Sequence, residues 1–355
     1  MSHSTSNDAA PLRSQEVTPP AGGHVSSADP GRGEHSSSRS GRALVYDVVE
    51  KYGLVIALVG AVAIFSILRP DSFMTTDNAR AMLVQAAIPI LLAIGLTFPL
   101  ALGDFDLSVG SMLGLGGASA VAMMALHGST WQTAILVGIA LGVATGLVNG
   151  FFTAYLGASS FVMTLGMSTV LLGVEYLFTD QQTLFQNIQP GYLDLGQSVP
   201  FANLNLPVWI ALGAAVLAWV VLEHTELGRY IYAVGGNSEA ARFAGLPVAR
   251  LRLIGFVIVG VTAAICGILL TSQGASSSPN AGVPYLLPAY AAAYLGSAAF
   301  RPGDFNVAGT VVAGLFLGVI STGLQLLEIS TAIINILQGV ILVVAMLVSR
   351  LERKA

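Results

Sequence analysis

The sequence predicts an all-α polytopic membrane protein with about ten transmembrane helices, some of them short or broken, and with an internal repeat. Three observations carry this. Of 355 residues, 54% are hydrophobic and 10% are charged, against about 25% charged residues in an ordinary soluble domain. Residues 107–174 and 253–300 hold no Asp, Glu, Lys or Arg, and a water-exposed domain would not keep such stretches from aggregating. The apolar runs also recur at lengths near the roughly 20 residues that a bilayer asks of a helix. A net charge of −4 without a basic patch gives nucleic-acid binding no electrostatic support. The single cysteine, Cys266, lies inside an apolar run and reads as an inert thiol.

Residues 1–43 are rich in Ser, Gly, Pro and His and have no apolar stretch, so they read as a disordered cytoplasmic tail rather than a signal peptide. Residues 44–355 are expected to form one transmembrane domain. Its apolar runs fall at 53–68, 82–103, 109–126, 133–155, 161–178, 207–222, 253–270, 285–300, 307–327 and 331–349. Several are shorter than a perpendicular span, which predicts tilted or partly re-entrant elements.

Sidedness follows from the basic residues, which favour the cytoplasmic side. With both termini inside, every Lys and Arg except Arg69 and Arg80 is also inside, and the longest outer segment, 179–206, has none. Gly138, Gly142, Gly146 and Gly150 fall four apart, and Gly110, Gly114, Ala118 and Ala122 repeat the spacing. Such smooth stripes suit close helix packing, with passage of a solute along the glycines as the alternative.

Residues 103–111 read Gly-Asp-Phe-Asp-Leu-Ser-Val-Gly-Ser between two apolar runs. A carboxylate in hydrocarbon costs about 2.5–3.5 kcal/mol on insertion scales, so Asp104 and Asp106 should face protein or water. Two compatible readings stand. The segment is an unwound break that lines a path for a polar solute, or it is a turn in which Asp106 or Ser108 caps the next helix. Residues 303–306 repeat Gly-Asp-Phe before another glycine-bearing helix, an echo of the internal repeats that transporters carry. Gln85, Asn149, Thr164, Asn335 and Gln338 are uncharged polar residues within spans, suited to an uncharged polyhydroxylated solute or to bonds between helices. No His lies deep in a span and no Lys or Arg in any, so neither a proton relay nor a counter-ion for a charged solute is supported. Glu175, near the outer end of its run, is the one candidate exception, with a simple reach to the interface as its other reading.

Residues 223–252 read as a cytoplasmic loop with a short surface helix. Asn237 or Ser238 starts it, residues 239–244 have helix-forming composition, and Gly245 with Pro247 stops it. The density of Gly235, Gly236 and Gly245 favours a docking site for a cytoplasmic partner, contacted through Glu239 and Arg242, over a plain connection. The chain's two lysines, Lys51 and Lys354, follow Glu50 and Arg353, so no Walker A loop is possible.

These residues are familiar as a set. The chain resembles the permease subunits of bacterial ABC importers for monosaccharides, of the ribose, xylose, arabinose and galactose type. The family's inner-loop pattern is similar to Thr225, Gly228, Arg229, Ala233, Gly235, Asn237, Ala240, Ala241 and Gly245, all in register here. Asp106-Leu107-Ser108-Val109-Gly110-Ser111 matches a second motif. Gly146, Asn149 and Gly150, followed by Phe161, Thr164, Leu165 and Gly166, match a third.

The resemblance implies a multi-pass protein of the bacterial cytoplasmic membrane and no enzymatic activity or cofactor in this chain. ATP-Mg would sit on separate ABC ATPase subunits at the inner face. A second permease copy, a periplasmic or lipid-anchored substrate-binding protein and membrane lipid complete the implied partners. The loop helix would couple to the ATPase, and Asp104, Asp106, Ser108, Asn149, Phe161 and Thr164 would flank the translocation path. The remaining alternative is a self-sufficient secondary transporter or channel for a small polar solute. Departures from the family pattern are Gly103-Asp104-Phe105 in place of Gly-Gly-Ile, Ser160 before Phe161, Leu172 in place of arginine, and the turn at residues 296–303. They leave polyols, autoinducer-like furanosyl compounds and nucleosides beside pentoses and hexoses as cargo.

Overall fold

A computed structural model describes residues 41–352. Among them the chain forms α1 (Gly41–Leu68), α2 (Pro70–Phe73), α3 (Thr76–Ala101), α4 (Val109–Ala125), α5 (Trp131–Ala154), α6 (Ser160–Thr179), α7 (Pro190–Gln197), α8 (Leu206–His224), α9 (Glu226–Gly236), α10 (Ser238–Phe243), α11 (Val248–Gly274), α12 (Leu286–Ser297), α13 (Val307–Leu326) and α14 (Thr331–Glu352). The tail expected over 1–43 lies outside the described residues up to residue 40. Its last three residues already belong to α1, because no proline interrupts the helix-forming run that follows Gly41.

Each expected apolar run falls on a helix. Six helices, α3, α5, α6, α8, α11 and α13, are long and apolar enough to cross a membrane, and the apolar parts of α1, α4 and α14 are shorter. The run at 285–300 is different. Its helix, α12, has 12 residues, about 18 Å at 1.5 Å per residue, roughly half of a bilayer core. Ahead of it, the connection from Ala275 to Tyr285 turns back against α4, where a Cβ on Gly282 would collide with the carbonyl of Gly110. One expected span is therefore a helix too short to cross a bilayer by itself.

The centre of the bundle is α3, α4 and α11. From Ala86 to Ala101 nearly every residue of α3 is buried, and α11 packs along α4, α5 and α3. Helices that are apolar and covered all round form a core, whereas those at the rim keep apolar side chains exposed. Ile67 on α1 and Leu177 on α6 are 78% and 83% exposed, surfaces suited to lipid or another subunit.

Glycine decides how closely α5 and α11 approach. A Cβ on Gly142 would lie 2.6 Å from the Gly260 carbonyl, one on Gly146 2.5 Å from the Phe256 carbonyl, and one on Gly150 2.9 Å from Leu253 Cα. That stripe is a helix contact throughout its length. The second stripe divides: Gly110 faces residues 282–286, while Gly114 makes room for the Glu175 carboxylate. Glu175 consequently does not reach the interface. It is 1% exposed and accepts a hydrogen bond from the Asn280 amide at 3.1 Å. The segment 179–206 is likewise packed rather than loose, since α7 buries Tyr192, whose hydroxyl lies 2.6 Å from that of Thr271.

Overpacking the α5–α11 seam with Gly146→Leu should cost about 1–3 kcal/mol. Gly166→Ala, with nothing within 4 Å of the added methyl, should be neutral. Gel filtration of the detergent-solubilised protein after graded heating should show a lowered midpoint for the first variant alone.

Candidate functional site

The connection between α3 and α4, residues 102–108, is non-helical. It leaves α3 through Gly103 at φ +86°, a conformation that glycine adopts without the steric cost of a Cβ. An apolar bundle cannot solvate the amides freed by this break, so side chains from other helices must meet them. The Phe105 amide donates to Ser160 Oγ at 3.2 Å and the Leu107 amide to Thr164 Oγ1 at 3.0 Å, both on α6. The Asp106 amide donates to Tyr290 Oη on α12 at 2.9 Å. The Asp106 carboxylate accepts from the amide and hydroxyl of Ser108 at 2.9 and 2.5 Å, and Asn149 Nδ2 on α5 donates to Ser108 Oγ at 2.9 Å. The backbone is broken as the first reading expects; the expected side-chain cap is absent, because Ser108 precedes α4 without capping it and Asp106 bonds Ser108 rather than an amide of the helix.

Asp104, 2% exposed, forms a bidentate pair with Arg252 at the start of α11. Arg252 Nε lies 2.6 Å from Oδ2 while Nη2 bonds Oδ1, and Nη1 also reaches the Thr153 carbonyl at 3.5 Å. The fork geometry of a guanidinium suits a buried carboxylate better than a lysine would. Asp104, Asp106, Ser108, Asn149 and Thr164 are thus buried and bonded to protein groups, while Phe161 is 50% exposed.

The second break, residues 298–306, is built alike. Gly303 adopts φ +89°, and Asn306 caps α13 by accepting from the Gly309 amide at 2.7 Å. Its acid differs, since Asp304 is exposed where Asp104 is buried.

The loop expected at 223–252 is shorter and more ordered than its sequence bounds. Residues 223–224 finish α8 and residues 248–252 begin α11, with α9 and α10 between them. Thr225 caps α9, where a Cβ on Gly228 would strike the Leu222 carbonyl. Asn237 Oδ1 accepts from the amides of Glu239 and Ala240 at 3.1 and 2.9 Å, and Gly245 ends the turn at φ +85°. Ala241 is buried beneath α10, while Glu239, Ala240 and Arg242 are exposed; Arg229 lies 3.7 Å from Glu226 on the surface.

This element is seated on both breaks. Gly235 lies against the Ala101 carbonyl at the end of α3, too close for any Cβ. Tyr232 Oη donates to the Phe305 carbonyl at 2.9 Å, and Glu223 pairs with Arg301 at 2.5 Å. Burial pushes the Tyr232 phenol well above its ordinary pKa, keeping it a donor.

Residues 78–346 match the family described as "branched-chain amino acid transport system / permease component". The chain belongs to this permease family. The ribose import permease protein of Escherichia coli (strain K12) is 34% identical over 299 residues, 83% of the permease and 92% of that relative. The ribose import permease protein of Bacillus subtilis is 35% identical over 311 residues, 85% and 94% of the two chains. The L-arabinose transport system permease protein of E. coli is 32% identical over 310 residues, 86% and 92%. No solved structure matches. The permease is a multi-pass membrane component of a transport system, in agreement with the family that the sequence motifs resembled.

Arg252, Tyr290 and Tyr232 were not singled out by sequence reasoning, and Ser160 was noted only as a departure from the family pattern. Arg252 carried one signal, the last cation before an apolar run, yet nothing in the chain says that its partner lies 148 positions away. Removing one partner of a buried pair strands the other, so Arg252→Ala should cost about 3–5 kcal/mol. Adding Asp104→Asn should restore most of the loss, as thermal unfolding of the purified permease would report.

Proposed function

We propose that this permease is the membrane subunit of an ATP-binding-cassette importer that moves a monosaccharide or similar small neutral polar solute into the cytoplasm. The solute class is supported by relatives that carry ribose, allose and L-arabinose, each at least 30% identical over more than four fifths of this chain. The observation that carries the mechanism is α10. Phe243 at its end is 90% exposed, next to the exposed Glu239 and Arg242. A large apolar side chain held in the open on the same short helix as an exposed acid and base suits a protein partner.

In this reading α9 and α10 dock an ABC ATPase, which binds and hydrolyses ATP-Mg. Gly228, Arg229, Gly235, Asn237, Ala240, Ala241 and Gly245 shape the docking element. Its seat against Ala101 and Phe305 passes the motion to both breaks. Asp104, Asp106, Ser108, Asn149, Phe161 and Thr164 belong to the inner end of the path in this reading. Both termini then lie on the ATPase side. A second permease copy completes the channel, lipid covers the remaining apolar rim, and a periplasmic or lipid-anchored binding protein delivers the solute at the bacterial cytoplasmic membrane.

Reconstituted with its ATPase and binding protein, the permease should show ATP hydrolysis stimulated by loaded binding protein; solute uptake that persists without the ATPase would refute the reading. Glu239→Ala with Arg242→Ala, or Phe243→Ser alone, should lose ATPase association while inserting normally in the membrane, as co-purification would show. Asp106→Asn keeps the acceptor for Ser108 and removes the charge, so uptake should fall if Asp106 serves the path, and wild-type uptake would leave it a structural partner of Ser108 only.

A further inference from the structure

The polar residues of the α3–α4 break are already bonded to protein groups, which directs attention to where a solute would first be held. A cavity of about 510 Å³ lies between α3, α12, α13 and α14. That volume falls in the range of about 300–1,000 Å³ typical of small-molecule sites. Its polar lining is Gln85, Ser321, Thr322, Gln325, Thr331 and Gln338. No Asp, Glu, Lys, Arg or His lines it.

Position within the helices gives the cavity a side. The end of α3 that meets the docking element is Ala101, whereas Gln85 lies in the other half of that helix. The start of α13 follows Phe305, which Tyr232 of α9 contacts, whereas Ser321 and Gln325 lie toward its far end. Thr331 begins α14 on that same far side. The cavity is therefore remote from α9 and α10.

The chemistry of the lining selects what fills it. Amides and hydroxyls turned toward lipid tails would lack partners, which argues for water or a polar solute. Gln338 Nε2 donates to Ser321 Oγ at 2.8 Å, and Ser321 Oγ donates to the Leu317 carbonyl at 2.8 Å, so this pair is oriented in advance. Three amides and three hydroxyls supply both donors and acceptors, as a polyhydroxylated molecule requires. Tyr285, Pro284 and Pro288, at the start of the half-helix α12, add apolar surface for the C–H face of a ring. A charged solute would find no counter-ion.

We propose that this cavity is the outer binding site of the permease, which takes a small uncharged polyhydroxylated solute before it reaches the α3–α4 break. The proposal rests on the importer reading above. Gln85, Gln325 and Gln338 are then residues of solute recognition, a role separate from that of the six residues at the break.

The chain has one cysteine, Cys266, which is buried, so thiol labelling tests the site directly. In a Cys266→Ala background, Gln85→Cys and Gln325→Cys are made singly, with Gln182→Cys in the exposed segment after α6 as control. Each is reconstituted with the ATPase and binding protein, treated from the outside with a membrane-impermeant thiosulfonate, and assayed for ATP-driven uptake of ribose, allose and L-arabinose. The expected result is labelling of all three variants, with uptake lost in the two cavity variants and retained in the control. Cavity thiols that never react, because lipid or a second copy fills the space, would overturn the proposal, as would full uptake after labelling. Absence of ATP-driven uptake in the unlabelled Cys266→Ala parent and Gln182→Cys control would instead strike the importer reading, and the labelling pattern would still report whether the cavity holds water.

Discussion

A carboxylate buried in an apolar bundle has to be neutralised where it stands, and much of this permease is arranged around that requirement at Asp104. The fork of Arg252 answers both carboxylate oxygens, and in doing so it fixes the start of α11 against the end of α3. Both helices belong to the buried centre of the bundle, beside α4. The same constraint extends to the backbone, because a chain that stops being helical inside a membrane protein leaves amides that hydrocarbon cannot satisfy. Ser160, Thr164 and Tyr290 take them up, so a short irregular segment joins α5, α6, α11 and α12. Movement of any one of these helices must therefore strain the bonds of the others.

Close packing supplies the second constraint. Between α5 and α11 the backbones approach along Gly142, Gly146 and Gly150 to distances that no side chain tolerates, which holds that pair as one rigid block. Around α12 the permease is built differently. A half-helix preceded by a folded-back connection leaves room beside α3, α13 and α14, and uncharged polar side chains line that room. Rigid seams and a broken element in one bundle are what a transporter needs if part of it is to move while the rest keeps the membrane sealed.

Much of this was legible in the sequence. The apolar runs located the helices because burial in lipid permits few charges, and the spacing of Gly138, Gly142, Gly146 and Gly150 announced a helix contact. Asn237, Ser238 and Gly245 marked the bounds of α10, since capping and left-handed termination are local chemistry. The place of Glu175 was left between two readings because its burial depends on the space left by Gly114 and on the Asn280 amide, both distant in the chain. Arg252 was counted only as a mark of sidedness for the same reason.

The sequence by itself determined what is encoded locally: membrane-spanning composition, the two glycine-led breaks at 103 and 303, the capped helix at 238–243 and the motifs of the permease family. Tertiary structure alone decided which helices lie at the centre, that Asp104 faces a guanidinium while Asp304 is exposed, and that Gln85, Ser321 and Gln338 share one cavity. Periodicity and capping act over a few residues, so a linear reading captures them. Pairing and cavity formation depend on which distant segments come within a few ångströms of one another, and that is settled only when the whole bundle packs.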